Sequence, residues 1–207
     1  MIGRDEAVRA LRESSAWLTD ELKGRPEADL HRQAGPLTWT CFETLDHVGD
    51  CFMGYALQVT SRSPDRYLAL EGIDRGVDFI HFPVELGVAG VVKALQPLSE
   101  LLAAAVLIAP PDARAFHNYG VSDPAGFAAM GAVEALLHGH DVLSGLGGVP
   151  ALPSDAVEVV LERLFPAVER HADGPEATLL WATGRIELSG RGRVDSEWTW
   201  DGTVHSC

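Results

Sequence analysis

Apolar residues recur every three or four positions between strong start and stop signals, and this pattern restricts the chain more than any other feature. Val8, Leu11, Ser15, Leu18 and Leu22 keep that spacing, so residues 5–23 form an amphipathic helix that Gly24, Arg25 and Pro26 end. A second helix starts at the capping box "TCFE", with Thr40 as N-cap and Glu43 at the third helical position. Leu45, Val48, Phe52, Tyr55, Ala56 and Val59 follow, and Ser61, Ser63 and Pro64 close it. A third helix covers about 84–109, with a kink or break expected at Pro97. The fourth opens with Asp123 as N-cap and Pro124 at its first position, then runs to about Ser144, where "GLGG" stops it. Helices that each carry one apolar stripe have to bury it against one another. The fold class expected is therefore mainly α: a four-helix bundle over residues 1–150, with short links that favour antiparallel neighbours.

Beyond Pro150 the texture changes. "SDAVEVVLERLFPAVERHA" reads as one amphipathic helix capped by Ser154 or Asp155, and "ATLLWATGR" as a short buried continuation. "RIELSGRGRVDSEWTW" alternates around a Gly-rich turn, the pattern of a β-hairpin. Residues 151–207 are thus expected as a small α/β tail, helix plus hairpin, packed on the bundle through Trp181, Trp198 and Trp200. The mixed stretch 64–83 is long for a connection inside one domain, and such connections are often functional.

Composition excludes several classes of function. The net charge of −14, without any Lys/Arg cluster, argues against nucleic acid. No apolar run reaches the roughly 20 residues of a membrane span. The N-terminus has no continuous apolar stretch of the signal-peptide kind, so a soluble cytoplasmic protein with no membrane partner is expected. Cys41, Cys51 and Cys207 are odd in number and lack CxxC spacing, against a disulfide framework or a cysteine-based zinc knuckle.

One stretch asks for chemistry. In "GAVEALLHGHD", Glu134 and His138 are four apart on a helix, so both side chains can reach one ion. The pair alone also suits a solvated surface. His47, on the second helix among Leu45, Val48 and Phe52, is either a core histidine or a third ligand. Depths along the two helices match at roughly 1.5 Å per residue. Two imidazoles and a carboxylate suit zinc or another divalent first-row metal, and three protein ligands leave a position open, as in catalytic sites. Asp141, three residues after His138, would orient a ligand, bind substrate or face solvent. Arg185 would pair with an anionic substrate or thiol carboxylate, or form a structural salt bridge. His140 falls on another face and reads as exposed, with an acid/base role as the alternative. Cys51 lies one turn beyond His47 and reads as a small buried hydrophobe, with an extra ligand as the alternative. Glu43 is explained by capping.

These residues carry a resemblance. "GPLTWTCFETLDHVGD", with Trp39 eight residues before His47, resembles the W-[TS]-x-x-[DE]-x-[LV]-x-H segment of the DinB-like superfamily, in its mycothiol-dependent maleylpyruvate isomerase branch. "SDPAGFAAMGAVEALLHGHDVLSGLG" is similar to the branch's second segment, E-x-x-x-H-x-x-D, and "LLWATGR" to a third that ends in Gly-Arg. The resemblance implies a four-helix bundle with His47, Glu134 and His138 as ligands to a divalent metal, usually zinc. It also implies mycothiol as thiol cosubstrate, and Asp141 and Arg185 as catalytic candidates. The 14 arginines against two lysines are compatible with an actinobacterial source. The function expected is S-transfer to, or cis–trans isomerisation of, a small electrophile such as a maleylpyruvate-like enone. A metal-dependent hydrolase is one alternative; it would need Asp141 or His140 as base. A non-catalytic metal-binding bundle acting in a stress response or biosynthetic complex is the other. A homodimer is possible, since bundles of this kind often pair.

Overall fold

The start signals of the second and fourth helices act where the sequence places them, whereas the helix that opens at Ser154 has Pro153 at its N-cap and no side-chain cap from Ser154 or Asp155. Thr40 Oγ1 accepts from the Glu43 amide at 3.1 Å, and the Glu43 carboxylate accepts from the Thr40 amide at 2.7 Å, closing the capping box. Asp123 accepts from the Gly126 amide at 2.7 Å, and Pro124 follows at the first helical position. The computed structural model describes residues 2–69, 79–148, 150–195 and 197–204. Part of the 64–83 connection, and Cys207, lie outside the described residues.

Among the described residues the chain is mainly helical: α1 (Arg4–Lys23), α2 (Cys41–Ser61), α3 (Gly87–Ile108), α4 (Pro124–Gly145), α5 (Ser154–Leu164) and α6 (Pro175–Ala182), with a 3-10 turn Val84–Leu86 leading into α3. α1 packs on α3 and α4, and so does α2; α5 packs on α1 and α4, and α6 on α5. α4 is buried on nearly every face, with Phe127, Met130, Leu136 and Leu143 fully enclosed. That suits its run of small residues, which lets four neighbours, α1, α2, α3 and α5, approach its backbone. An alanine-like Cβ on Gly131 would lie 2.6 Å from Leu102 of α3, 2.9 Å from Leu11 of α1 and 3.6 Å from Phe52 of α2. Each large aliphatic side chain enclosed here contributes about 1.5–3 kcal/mol.

Three expectations change on contact with the structure. α3 runs unbroken through Pro97. Pro97 is exposed, and so is Lys93, whose carbonyl loses its helical partner, so water satisfies the group that a buried proline would orphan. α5 ends at Leu164 instead of reaching residue 172, because Pro166 drives Phe165 out of the helical region, to φ −126° and ψ 47°. The hairpin expected over 185–200 is absent as a strand pair: among the described residues it amounts to one isolated bridge, Leu188 with Arg191. Other partners take the polar groups of this segment. Trp181 Nε1 donates to the Gly192 carbonyl at 2.8 Å and the Arg185 amide to the Leu180 carbonyl at 2.8 Å; just beyond the segment, the Asp201 and Gly202 amides donate to Leu164 and Tyr119, each at 2.8 Å. Residues 84–108 are long and apolar enough to cross a membrane, with mean hydropathy 1.7; packed core helices meet the same criterion, and α3 lies against α1, α2 and α4.

Candidate metal centre

α2 presents His47, Cys51 and Tyr55 at successive four-residue intervals, one above another on a single face. α4 presents Glu134 and His138 in the same way, and α2 packs on α4. Glu134 is the meeting point. Its Oε2 lies 3.3 Å from His138 Nε2 and 3.8 Å from His47 Nε2, and its Oε1 accepts from the Tyr55 hydroxyl at 2.9 Å. The two imidazoles stand edge to face with centroids 5.1 Å apart. Cys51 Sγ lies 3.4 Å from His47 Nε2, and one donor atom from each of His47, Cys51 and Glu134 falls within 4.8 Å of the others.

The electrostatics follow from burial against pairing. Burial pushes the Glu134 carboxyl up, but the hydrogen bond to His138, the charges of His47 and His138 and the Tyr55 hydroxyl outweigh it and hold it at about 2. Burial pulls the His138 imidazolium down, and contacts with Asp141 and Glu134 overcome it, bringing it to about 9. The Cys51 thiol is pushed up to about 12 by burial and by the Glu134 charge, against the pull of His47.

Behind His138 stands a second layer. Its Nδ1 lies 3.5 Å from Asp141 Oδ2, and Asp141 is fully buried. Arg185 binds both oxygens of Asp141, Nε to Oδ1 at 3.0 Å and Nη2 to Oδ2 at 2.6 Å. Burial would raise the Asp141 carboxyl; His138, His140 and Arg185 hold it well below the usual carboxylate range. A carboxylate behind a histidine orients the ring and raises its basicity as a ligand. At 3.5 Å this approach makes no hydrogen bond, and His138 Nδ1 is buried without a hydrogen-bond partner. His140, expected to be exposed, is largely enclosed, with Nδ1 3.8 Å from Asp141 Oδ1.

Trp39, 41% exposed, lies beside the two imidazoles, with ring centroids 5.2 Å from His47 and 6.3 Å from His138. The loop that carries it is fastened to α4. Cys41 Sγ contacts the Val142 carbonyl at 3.6 Å, Gln33 and Thr40 form an antiparallel bridge, and Gly35 (φ +48°) passes so close that a Cβ would sit 3.1 Å from the Asp141 carbonyl oxygen. On the far side, His117 is buried in a ring cluster with Tyr55, Phe127 and Trp200, and burial pulls it down to about 4.

The structure brings the His47 and His138 imidazoles each to Glu134, places Cys51 with His47 and Glu134 in one compact donor group, and sets Asp141 and Arg185 behind His138. Sequence reasoning took Tyr55 as packing alone; the His47–Cys51–Tyr55 interval was the signal that tied it to the site. Donors of this chemistry fit a divalent metal of the zinc type: two neutral-capable imidazoles, a carboxylate and a nearby thiol. No protein-family model, curated protein or solved structure matches the chain.

Proposed function

We propose that this chain is a DinB-like four-helix-bundle enzyme that binds a divalent cation, zinc above others, and uses a low-molecular-weight thiol, mycothiol, on a small electrophile. The observation that supports it most is Glu134 Oε2 lying 3.3 Å and 3.8 Å from imidazole nitrogens supplied by two different helices. A cation held by His47, Glu134 and His138 would supply the charge that keeps a thiol, ordinarily near 8.5, deprotonated at neutral pH. The chain's own groups do the rest. Tyr55 fixes the second oxygen of Glu134. Asp141, clamped by Arg185, places a carboxylate 3.5 Å behind the His138 ring. Trp39 offers an apolar wall at the open side.

On a cis-enone the thiolate sulfur adds to the β-carbon, the carbon–carbon double bond becomes a rotatable single bond, and expulsion of the same thiolate after rotation leaves the trans isomer. On an electrophile with a leaving group, the same attack ends in an S-conjugate. The thiol reading is favoured over a hydrolase that uses Asp141 as base, because both oxygens of Asp141 are engaged by Arg185; His140 is the other base such a hydrolase would have. Residues 1–150 carry the ligands and residues 151–207 pack on them, supplying Arg185.

The test is turnover of a cis-enone or alkyl halide by zinc-loaded protein with and without mycothiol. Isomer or conjugate formed only with thiol is expected. Full turnover without any thiol would contradict the proposal, and no product with any thiol would leave a non-catalytic metal-binding bundle.

A further inference from the structure

We infer that Cys51 is a sulfur ligand of the same cation, so that the chain closes the centre with His47, Cys51, Glu134 and His138 until an external thiol displaces it. This rests on the metal-binding reading above and goes beyond it. Four distances carry it. Nitrogen and sulfur donors at roughly 2.0 and 2.3 Å on a tetrahedral ion stand about 3.5 Å apart, and nitrogen and oxygen donors about 3.4 Å apart. His47 Nε2 to Cys51 Sγ is 3.4 Å, His138 Nε2 to Glu134 Oε2 is 3.3 Å and His47 Nε2 to Glu134 Oε2 is 3.8 Å, while the His47, Cys51 and Glu134 donors are all mutually within 4.8 Å. The sulfur therefore falls in one compact donor group with His47 and Glu134, and His138 reaches that group through Glu134 at 3.3 Å. The position on α2 agrees, since Cys51 stands one turn from His47 on the face turned to α4. A buried S–H···N contact with His47 is the alternative explanation of the 3.4 Å separation.

The consequence concerns the thiol cosubstrate. A centre closed by four protein donors has no vacant position. With a cation bound, an incoming thiol would pass its proton to the departing Cys51 sulfur as it took its place, so the exchange would balance in protons and in charge and need no oxidant. Cys51 then excludes water and weaker ligands while admitting thiols. Sulfur in the donor set also biases the site toward thiophilic metals.

The test is titration of the whole metal-free chain with Co²⁺ alone, followed by absorption. The expected result is a sulfur-to-cobalt charge-transfer band in the near ultraviolet that saturates at a single equivalent. Cys51→Ser and Cys51→Ala are expected to lose that band, keep the visible cobalt bands, and bind Co²⁺ at least about 10-fold more weakly. Added mycothiol restores a sulfur band in Cys51→Ala. Uptake of Co²⁺ by the unsubstituted protein without the band, or a band that persists in Cys51→Ser, overturns the sulfur ligand and leaves the metal reading intact. Failure of the unsubstituted protein to take up Co²⁺ overturns both.

Discussion

A carboxylate buried as deeply as Glu134 stays ionised only because imidazole and phenol groups surround it. His47→Ala removes one of these and is expected to abolish retention of zinc through gel filtration while leaving far-ultraviolet helicity nearly unchanged; tight zinc binding in that variant would contradict the assignment. The layer behind makes a separate prediction. Asp141→Asn leaves the Arg185 guanidinium, 8% exposed at its side chain, without its carboxylate. Breaking a buried pair from one side costs about 3–5 kcal/mol, which urea denaturation at pH 7 measures, and the double change Asp141→Leu, Arg185→Met is expected to recover most of it. His117 supplies a pH dependence. Its folded value, pulled down to about 4, lies below the ordinary 6.5, so the unfolded chain binds the extra proton between those values. Stability from this group is fully present above about pH 6.5 and is lost as pH falls toward 4, by roughly 2 kcal/mol between pH 7 and pH 5. His117→Gln is expected to flatten that part of the stability–pH profile by the same amount.

At the scale of elements, the capping boxes, the helical intervals and the stop signals were legible because they are local. The Thr40–Glu43 pair and the Asp123–Pro124 pair each specify a helix start within four residues, and the structure begins α2 and α4 there. Pro97 misled because the cost of a proline depends on whether its orphaned carbonyl meets water, which a sequence does not state. The end of α5 at Leu164 was written in Pro166 and was outweighed by the amphipathic pattern that continues past it. The backbone of the expected hairpin is engaged elsewhere: the Arg185 and Ile186 amides donate to Leu180, and the Gly192 carbonyl accepts from Trp181 Nε1. Packing around α4 has its own test. Gly131→Leu forces a side chain into the junction of Leu11, Phe52 and Leu102, and is expected to lower stability by about 3 kcal/mol, the upper end of overpacking costs. An unchanged midpoint in urea would show that the junction is looser than these distances require.

In the whole molecule, the tail links the outer layers to the centre. Arg163 of α5 reaches the Asp123 carboxylate at 3.1 Å and the Thr203 carbonyl at 3.1 Å, joining the N-terminus of α4 to the tail, while Arg185 joins the tail to Asp141 near the other end of α4. The ligand trio was readable from the sequence because two of its members share one helix face and the third sits in a matching motif. The thiol beside them was legible only as an alternative, since one Cys in an apolar stripe looks like packing until the facing helix is in place. The account stands on a cation held jointly by α2 and α4. Competition against a chelating zinc indicator, with unsubstituted protein beside Glu134→Gln, tests it most directly: one tightly held zinc per chain is expected, weakened by well over 100-fold in the variant. No zinc held by the unsubstituted protein, or equal affinity in both proteins, would contradict it.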